Sequence, residues 1–351
     1  MTRTQPVIFV GRDYILDSNF DELADALAGD GYEVIRGWGA KPPTHTEYSP
    51  DEWPELFGRA QVIVVSWRTK CPPSLLDAAP RLRGLVFPTI GTDSVDLESA
   101  NERGIVVAHG AFPENFEGIA EATTMLIAAL FLDLPGKRAG FRNLAPRPMP
   151  SDLKARMVQG KTIGLIGLGR IARGVVRRLA GWNVEIIAYD PYIAGDTVPD
   201  GVRMVDLHDL LRQSDAVSVH VAMTSETRAM IGAHELSLMK PSSYLINTAR
   251  GAAIDEDALV DALANKRIAG AAIDVFVQEP LPHDHRLRKF DNAILTQHII
   301  GHTRELFDAI VPTARENIRC ILVGEEPLYT RNPEVLPAWR KRLLSILKEG
   351  A

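Results

Sequence analysis

The sequence predicts an α/β protein with two doubly wound parallel sheets, and three observations support this fold class. Short apolar runs alternate with helical segments along most of the 351 residues, a pattern typical of parallel sheets whose strands are joined by helices. A proline-rich segment at residues 144–150 interrupts the alternation, which restarts at residue 161. A glycine-rich turn follows the first strand of the second series. The length also favours two domains over one.

The first series of elements precedes the proline-rich segment. Apolar runs predict strands at residues 7–10, 34–35, 62–65, 85–87 and 105–107, with helices at residues 21–28, 75–79 and 95–102. Residues 122–134 predict a long buried helix, which begins after Glu121, contains Asp133 and is far too short to span a membrane. The first apolar run is also too short for the hydrophobic region of a secretory signal, so no membrane association is expected.

The second series of elements forms the second predicted sheet. Strands are expected at residues 162–166, 185–189, 216–219, 244–247, 271–275 and 293–296, and helices at residues 171–180, 207–212, 233–238 and 255–264. A helix from residue 304 to about residue 323 follows, and then a tail.

Composition excludes several classes of function. The formal net charge of −6 and the pI of about 5.9 lack the basic character of a nucleic-acid-binding protein. Cys71 and Cys320 are the only cysteines, and neither lies in a CxxC pair or beside a histidine cluster. A disulfide framework or structural zinc site is therefore not expected, and the cysteine usage fits a cytoplasmic protein.

The glycine-rich turn begins directly after the strand predicted at residues 162–166. Gly167 permits a tight turn, Gly169 lets the backbone approach a pyrophosphate, and Ala172 is small enough for close packing of helix on strand. The N–H groups of Arg170 and Ile171, at the start of the next helix, would face the phosphates. Such a turn is a weak signal alone, but the flanking strand and helix strengthen it.

Asp190 completes the dinucleotide-binding pattern, because it ends the next strand about twenty residues after the glycines. A carboxylate there accepts hydrogen bonds from the adenine ribose and repels a 2′-phosphate. The pattern therefore favours NAD or NADH, with NADP less favoured. The alternative is that Asp190 only shapes the turn before Pro191, where aspartate is common.

Arg250, Glu279 and His298 follow three of the predicted strands. Ligands of open parallel sheets bind beyond the carboxyl ends of the strands, so the three side chains are expected to share one crevice. Arginine presents a donor fork suited to a carboxylate or keto-acid oxygen, and histidine can move a proton near neutral pH. Glu279 would orient the ring and favour imidazolium. The alternative for Arg250 is a surface ion pair, for His298 a core histidine, and for Glu279 a solvated loop acid.

Further polar residues remain open to more than one interpretation. Asp274 is predicted inside a strand, where an acid needs a partner, and it could bind a nicotinamide amide or an internal donor. His283, His285 and His302 are candidate metal ligands by residue type. The carboxylate-rich surroundings of a metal site are missing, and residues 283–285 are typical of a solvated charged loop, so no metal site is expected.

The motifs together resemble the D-isomer-specific 2-hydroxyacid dehydrogenases over roughly residues 60–340. The matching segments, in family order, are residues 91–97, Asn115 with 120–121, 248–251 around Arg250, 272–276 with 278–282 around Glu279, and 296–303 around His298. The resemblance implies a flavodoxin-like substrate domain, residues 1–122 with 303–351, around an inserted NAD-binding Rossmann domain, residues 123–302. It also implies an active site in the interdomain cleft and a homodimer formed through the nucleotide domain.

The resemblance also implies a mechanism and a set of contacts. NADH would reduce a 2-keto acid to a D-2-hydroxy acid while His298 donates the proton, Glu279 tunes His298, and Arg250 binds the substrate carboxylate and carbonyl. The expected cofactor-binding residues are Gly167, Gly169, Arg170, Ile171, Asp190, His220, Thr248, Ala249, Arg250, Asp274, His298 and Gly301. The expected substrate-binding residues are Trp67, Ile90, Gly91 and Arg250.

Two departures from the family pattern bear on specificity. Gln297 stands where family members commonly have proline before the histidine, and Ser66-Trp67 replaces the Arg-Ser pair of phosphoglycerate-type members. A phosphorylated substrate is therefore in doubt, and Trp67 suggests a bulkier or less charged one. Two alternative functions remain: a nicotinamide-sensing protein like the corepressors of this fold, and an NAD-dependent hydrolase of adenosyl thioethers.

Overall fold

A computed structural model describes residues 5–38, 46–193 and 195–349 of the chain. It confirms the predicted fold class, since both sheets are wholly parallel and flanked by helices. The chain separates into two compact units, Met1–Asn115 with Thr303–Ala351, and Phe116–His302. The first unit is here called the discontinuous unit and the second the inserted unit. The first boundary lies earlier than the predicted division after residue 122.

Strands and helices alternate along most of the described residues. The strands are β1 Val7–Val10, β2 Glu33–Arg36, β3 Val62–Val64, β4 Gly84–Phe87, β5 Val106–His109, β6 Thr162–Ile166, β7 Glu185–Tyr189, β8 Val202–Met204, β9 Ala216–Val219, β10 Tyr244–Asn247, β11 Gly270–Ile273 and β12 Ala293–Leu295. The α-helices are α1 Asp17–Gly29, α2 Trp53–Leu56, α3 Pro73–Asp77, α4 Leu97–Glu102, α5 Pro113–Phe131, α6 Leu134–Arg142, α7 Arg170–Leu179, α8 Leu207–Gln213, α9 Ala233–Leu238, α10 Glu256–Ala264, α11 Arg304–Val323 and α12 Leu336–Glu349.

The discontinuous unit is built on a five-stranded sheet with the order β2-β1-β3-β4-β5. This is the order of flavodoxin-like sheets. The central strands are buried on both faces, as expected for a parallel sheet covered by helices. Helix α11 returns to this sheet after the inserted unit, and its residues Ile310, Ile318 and Ile321 are completely buried in the same core as β1 and β3.

The inserted unit is built on a seven-stranded sheet with the order β12-β11-β10-β9-β6-β7-β8. From β6 the chain adds strands first on one side, β7 and β8, and then on the other, β9 to β12. The boundary between β6 and β9 is therefore the switch point where doubly wound sheets bind ligands. Helix α5 packs on one face, with Ile127 and Phe131 completely buried beside residues of β6. The carboxyl ends of β10, β11 and β12 are neighbours at one edge of the sheet.

The structure contains several elements that were not predicted, and one predicted helix begins earlier than expected. Strand β8 was missed because it lies at the edge of the sheet, where the exposed Arg203 stands between two partly buried residues and leaves no apolar run. Residues 336–349, predicted as a tail, form α12, whose Trp339 is completely buried and donates a hydrogen bond to the Arg83 carbonyl at 2.8 Å. The long apolar helix begins at Pro113 instead of residue 122, and α6, a separate helix, was not predicted.

No single helix within the described residues is long and apolar enough to cross a membrane. Helices α5 and α6 meet the length and composition criteria only as a pair, and they are bent by 63° at the break between them.

Candidate active site

The glycine-rich turn lies at the switch point of the seven-stranded sheet. Gly167 has a φ of +88°, and a Cβ there would approach the carbonyl oxygen of His220 to 2.9 Å, so both conformation and packing require glycine. Gly169 differs, because a Cβ there would meet no protein atom within 4 Å. The backbone at the start of α7 therefore faces open space, with N–H groups suited to an anion. The buried Ala172 packs this helix on the sheet.

Asp190 binds the glycine turn from the end of the neighbouring strand. Its Oδ2 accepts a hydrogen bond from the Leu168 N–H at 2.9 Å, and its Oδ1 accepts one from the Tyr192 N–H at 2.9 Å. The carboxylate thus shapes its own turn, as the alternative interpretation expected. Each carboxylate oxygen has a second acceptor site, so these two bonds leave capacity for a ribose hydroxyl. The ribose contact itself stays a prediction.

Two predicted cofactor residues have side-chain partners within the inserted unit. The Arg170 guanidinium lies 6.0 Å from the centre of the Phe116 ring. The His220 ring Nε2 lies 2.9 Å from the Ser218 hydroxyl, and burial lowers the pKa of His220 to about 4. His220 is therefore neutral at physiological pH and can take part in hydrogen bonding without bringing charge to the site.

The other predicted cofactor residues line the same edge of the sheet. The Thr248 hydroxyl is 3.1 Å from the Thr123 hydroxyl on α5, so this buried side chain connects the end of β10 to that helix. Gly301 packs on α5 as well, where a Cβ would come within 2.5 Å of the Ile119 side chain. The close packing against α5 thus explains why this position is a glycine. Contacts of Thr248, Ile171 and Gly301 with a cofactor stay predictions.

Arg250 follows β10 in a turn that one buried residue holds. The Asn247 side chain donates to the Arg250 carbonyl at 2.9 Å and accepts from the Ala249 N–H at 3.0 Å. The Arg250 guanidinium donates to the Ala249 carbonyl at 2.8 Å. Asn247 was not recognised from the sequence as a site residue. A buried asparagine ending an apolar strand was the available signal.

His298 and Glu279 form a hydrogen-bonded pair. The distance from His298 Nδ1 to Glu279 Oε2 is 2.9 Å, and the other carboxylate oxygen of Glu279 accepts from the Phe276 N–H at 3.0 Å. Both side chains are about a quarter exposed or less. The carboxylate engages Nδ1, so a proton exchanged with a bound molecule would pass through the other ring nitrogen, Nε2. This pairing is the arrangement of an oriented acid–base catalyst.

Asp274 organises the loop that carries His298. The structure corrects its predicted position, because β11 ends at Ile273 and Asp274 lies just beyond the strand. Its Oδ1 accepts from the Thr296 hydroxyl at 2.6 Å and from the N–H groups of Ile299 and Ile300 at 3.1 and 3.2 Å. Asp274 thus satisfies internal donors, which was one of its two predicted roles. Its carbonyl accepts from the His298 N–H at 2.6 Å.

The loops after β10 and β11 touch through Gly251. A Cβ at this position would lie 2.1 Å from the carbonyl carbon of Phe276, whose N–H holds Glu279.

We expect Gly251→Ala to lower the free energy of unfolding by about 1–3 kcal/mol through overpacking and to reduce turnover by displacing Glu279. Denaturant unfolding and steady-state kinetics measure both effects. Gly29→Ala is the matched control, because its Cβ meets nothing within 4 Å; equal effects in both variants would contradict the close-contact argument.

Glu256 supports the same loop from the first turn of α10. Its carboxylate accepts from the Val277 N–H at 2.7 Å, one residue after the amide that holds Glu279. The other oxygen of Glu256 lies 3.5 Å from His285 Nε2. His283 and Asp284 are exposed, as predicted for a solvated loop, whereas His285 is only partly exposed and its Nδ1 also accepts from the Leu287 N–H. Local sequence gave no sign of this contact, because Glu256 also fits an ordinary acid near a helix start.

The predicted substrate residues lie at strand ends of the discontinuous unit. Trp67 follows β3, and Ile90 and Gly91 follow the neighbouring β4. The Ile90 carbonyl is 3.0 Å from His109 Nδ1, a bond that ties the loop after β4 to β5. Their contacts with substrate stay predictions.

Arg68, beside Trp67, is held in a buried cluster. Its guanidinium lies 3.0 Å from Asp13 Oδ2, and the same oxygen accepts from the Ser66 hydroxyl at 2.5 Å. The guanidinium also lies over the rings of Trp67 and Tyr14, at 4.5 and 5.1 Å from their centres. The Asp13 side chain is completely buried, so this ion pair neutralises both charges inside the fold.

Comparison with known proteins identifies relatives over most of the chain. The sequence profile of the NAD binding domain of D-isomer specific 2-hydroxyacid dehydrogenases matches residues 137–299. The chain is 41% identical to glyoxylate reductase of Thermofilum pendens over 273 residues, 76% of this chain and 80% of that protein. It is 34% identical to D-3-phosphoglycerate dehydrogenase of Methanocaldococcus jannaschii over 305 residues, 86% of this chain but only 57% of that protein.

A solved structure with a similar fold covers nearly the whole chain. The NADPH-dependent glyoxylate/hydroxypyruvate reductase of Sinorhizobium meliloti superposes with a TM-score of 0.76 at 28% identity, covering 94% of this chain and 99% of that one.

Proposed function

Because the chain belongs to the D-isomer-specific 2-hydroxyacid dehydrogenase family, we propose that it reduces a small 2-keto acid to the D-2-hydroxy acid with NADH and also catalyses the reverse oxidation. One observation carries the proposal. The hydrogen-bonded pair of His298 and Glu279 and the side chain of Arg250 follow three adjacent strands, β12, β11 and β10. A proton donor and a carboxylate-binding fork therefore occupy the same edge of the sheet as the nucleotide turn.

Each proposed catalytic group has a defined task. The glycine turn and the start of α7 would hold the pyrophosphate of a bound cofactor, whose nicotinamide would supply a hydride to the carbonyl carbon. Arg250 binds the substrate carboxylate and polarises the carbonyl. As the C=O bond becomes a single bond, its electron pair takes the proton from His298 Nε2, and solvent later restores that proton. Glu279 holds the ring and stabilises the imidazolium before transfer. Oxidation reverses these steps.

We propose NADH as the preferred cofactor, and Asp190 supports this. Its carboxylate stands at the end of β7, fixed by two backbone N–H groups, where a 2′-phosphate would meet a like charge. A similar solved structure is nevertheless an NADPH-dependent reductase. The proposed preference for NADH therefore rests on Asp190 of this chain and not on the shared fold.

Asp190→Ala is expected to lower the ratio of kcat/KM for NADH over NADPH by about ten-fold or more, since like-charge juxtaposition costs several kcal/mol. Steady-state kinetics with both cofactors measure the ratio. Asp190→Asn is the matched control for shape, because it keeps an acceptor for the Leu168 N–H. It should relax the preference similarly. An unchanged ratio in both variants would contradict the assignment.

We propose that the substrate is a small 2-keto acid without a phosphate group. Arg68 is the cation beside Trp67, and it is committed to the buried Asp13. A phosphate would have to compete with that carboxylate. The similarity to a glyoxylate reductase supports a small substrate.

The test is a panel of glyoxylate, hydroxypyruvate, pyruvate, branched and aromatic keto acids and phosphohydroxypyruvate, with NADH oxidation followed by absorbance. Preference for the phosphorylated acid would contradict the proposal. Tight NADH binding without turnover would favour the sensor alternative.

We propose a homodimer formed through the inserted unit. Residues 141–157 expose a row of large apolar side chains, with Phe141 88% and Leu144 91% exposed, which is unusual for a surface that stays in water. We expect Phe141→Glu combined with Leu144→Glu to convert dimer to monomer, as measured by light scattering after gel filtration. Leu328→Glu, at an exposed apolar position of the other unit, is the control. A monomeric wild type, or a double variant that stays dimeric, would contradict this interface.

We also propose a cytoplasmic location. Both cysteines are buried free thiols, and burial raises the pKa of Cys71 to about 12. Unpaired thiols fit a reducing compartment.

A further inference from the structure

We propose that His208, His234 and Glu235 form a surface binding site for a divalent transition-metal ion such as Zn²⁺. His208 lies in the first turn of α8, and the other two residues lie in the first turn of α9. The three potential ligand atoms lie within 4.8 Å of one another, the only such set among residues 5–38, 46–193 and 195–349. The two imidazole rings are 5.4 Å apart between centres, and His208 Nε2 is 3.9 Å from Glu235 Oε1.

The residue types match the chemistry of zinc. Two imidazoles and one carboxylate are a common three-ligand set, with metal–ligand bonds of about 2.0–2.2 Å and a fourth position for water. Tetrahedral ligands at those bond lengths are separated by about 3.3 Å. Both histidines are exposed, so small side-chain rotations can close the present distances without moving the backbone.

The carboxylate is already held in position. Glu235 Oε2 accepts from the Gly232 N–H at 3.0 Å, a capping bond at the start of α9. Its other oxygen, Oε1, is the one nearest to His208. The two helices are fixed relative to each other, because Leu210 of α8 and Leu236 of α9 are buried in one core. The ion would therefore bind between elements that already pack together.

The position of the three residues at two helix starts opposes a cation, because the partial charge there is positive. The helices are short, and carboxylates offset this effect. Asp206 accepts from the Asp209 N–H at 2.9 Å at the start of α8, and Glu235 caps α9. Bound metal would cross-link α8 to α9 and stabilise the folded inserted unit by mass action. The ion would have no part in hydride transfer.

Zinc titration by calorimetry tests the site on the full chain after treatment with EDTA. The wild type is expected to bind one equivalent at this site. Loss of a group that merely supports a ligand costs about 10–100-fold in metal affinity, so His208→Gln and His234→Gln should each weaken binding at least ten-fold. His283→Gln, at another exposed histidine, is the matched control and should bind as the wild type does. Equal affinity in all four proteins, or no binding by the wild type, would overturn the proposal.

Copper spectroscopy separates this site from the His298–Glu279 pair. Cu²⁺ binds nitrogen and oxygen sites more tightly than Zn²⁺, and its electron paramagnetic resonance spectrum reports the number of coordinating nitrogens. Two imidazole nitrogens are expected in the wild type and in His298→Asn, and one in His208→Gln. A two-nitrogen spectrum that survives His208→Gln but changes in His298→Asn would overturn the assignment.

Discussion

Replacing His298 with asparagine is expected to lower kcat for keto-acid reduction by about 10²–10⁴-fold, the usual contribution of a positioned general acid. Its φ of +57° makes asparagine the suitable replacement, because asparagine tolerates the left-handed region better than most residues. The loop should therefore keep its shape while the proton donor is lost. The dissociation constant for NADH should change little, because the glycine turn and Asp190 are untouched.

Single-turnover kinetics and NADH fluorescence titration measure the two quantities for His298→Asn. His283→Gln, an exposed histidine of the same unit, serves as control and should retain full activity. Glu279→Gln should give a smaller loss of kcat, because glutamine keeps an oxygen near His298 Nδ1 but not the charge. A His298→Asn protein that loses only NADH binding would contradict the proton-transfer role.

Arg250→Lys is expected to reduce kcat/KM by about 10²–10³-fold, comparable to losing one donor aimed at a developing oxyanion. Lysine keeps the charge but lacks the planar fork that binds a carboxylate and a carbonyl together. The Asn247 side chain bonds only to backbone atoms of residues 249 and 250, so the turn should persist in the variant.

Chemical rescue makes the test of Arg250 specific. Arg250→Ala should regain part of its activity when guanidinium is added at low concentration, whereas Arg250→Lys should not. Arg212→Lys is the control, since Arg212 forms an exposed ion pair with Asp209 and should behave as the wild type does. Full activity of Arg250→Lys would contradict recognition by the fork.

Much of the fold was predictable because parallel strands are buried on both faces and therefore appear as apolar runs. Strand β10, at residues 244–247, was predicted at its observed bounds, and β6 likewise. Edge strand β8 was not, since its residues are only partly buried. Helix α12 was not predicted, although its buried Trp339 and Leu343 lie one helical turn apart on one face, a spacing typical of a helix.

The proximity of Glu279 and His298 was predictable, because both follow neighbouring strands of one sheet. The supporting contacts were not. Asp274 serves the loop of His298 through three donors, and Glu256 holds the Val277 amide. These bonds depend on loop conformations that strand order does not determine. Gly251 likewise shows its role only when its distance to the Phe276 backbone is known.

Transfer of deuterium from NADH to the product would test the proposed hydride transfer and its stereochemistry together. The wild-type protein would be incubated with NADH carrying deuterium at both hydrogen positions of nicotinamide C4 and with each keto acid of the panel, and the products analysed by mass spectrometry and chiral chromatography. We expect deuterium at C2 of the 2-hydroxy acid formed from at least one small unphosphorylated keto acid, with the D configuration for every product other than glycolate, which has no D form. NADH binding without deuterium in any product would contradict the proposed hydride transfer.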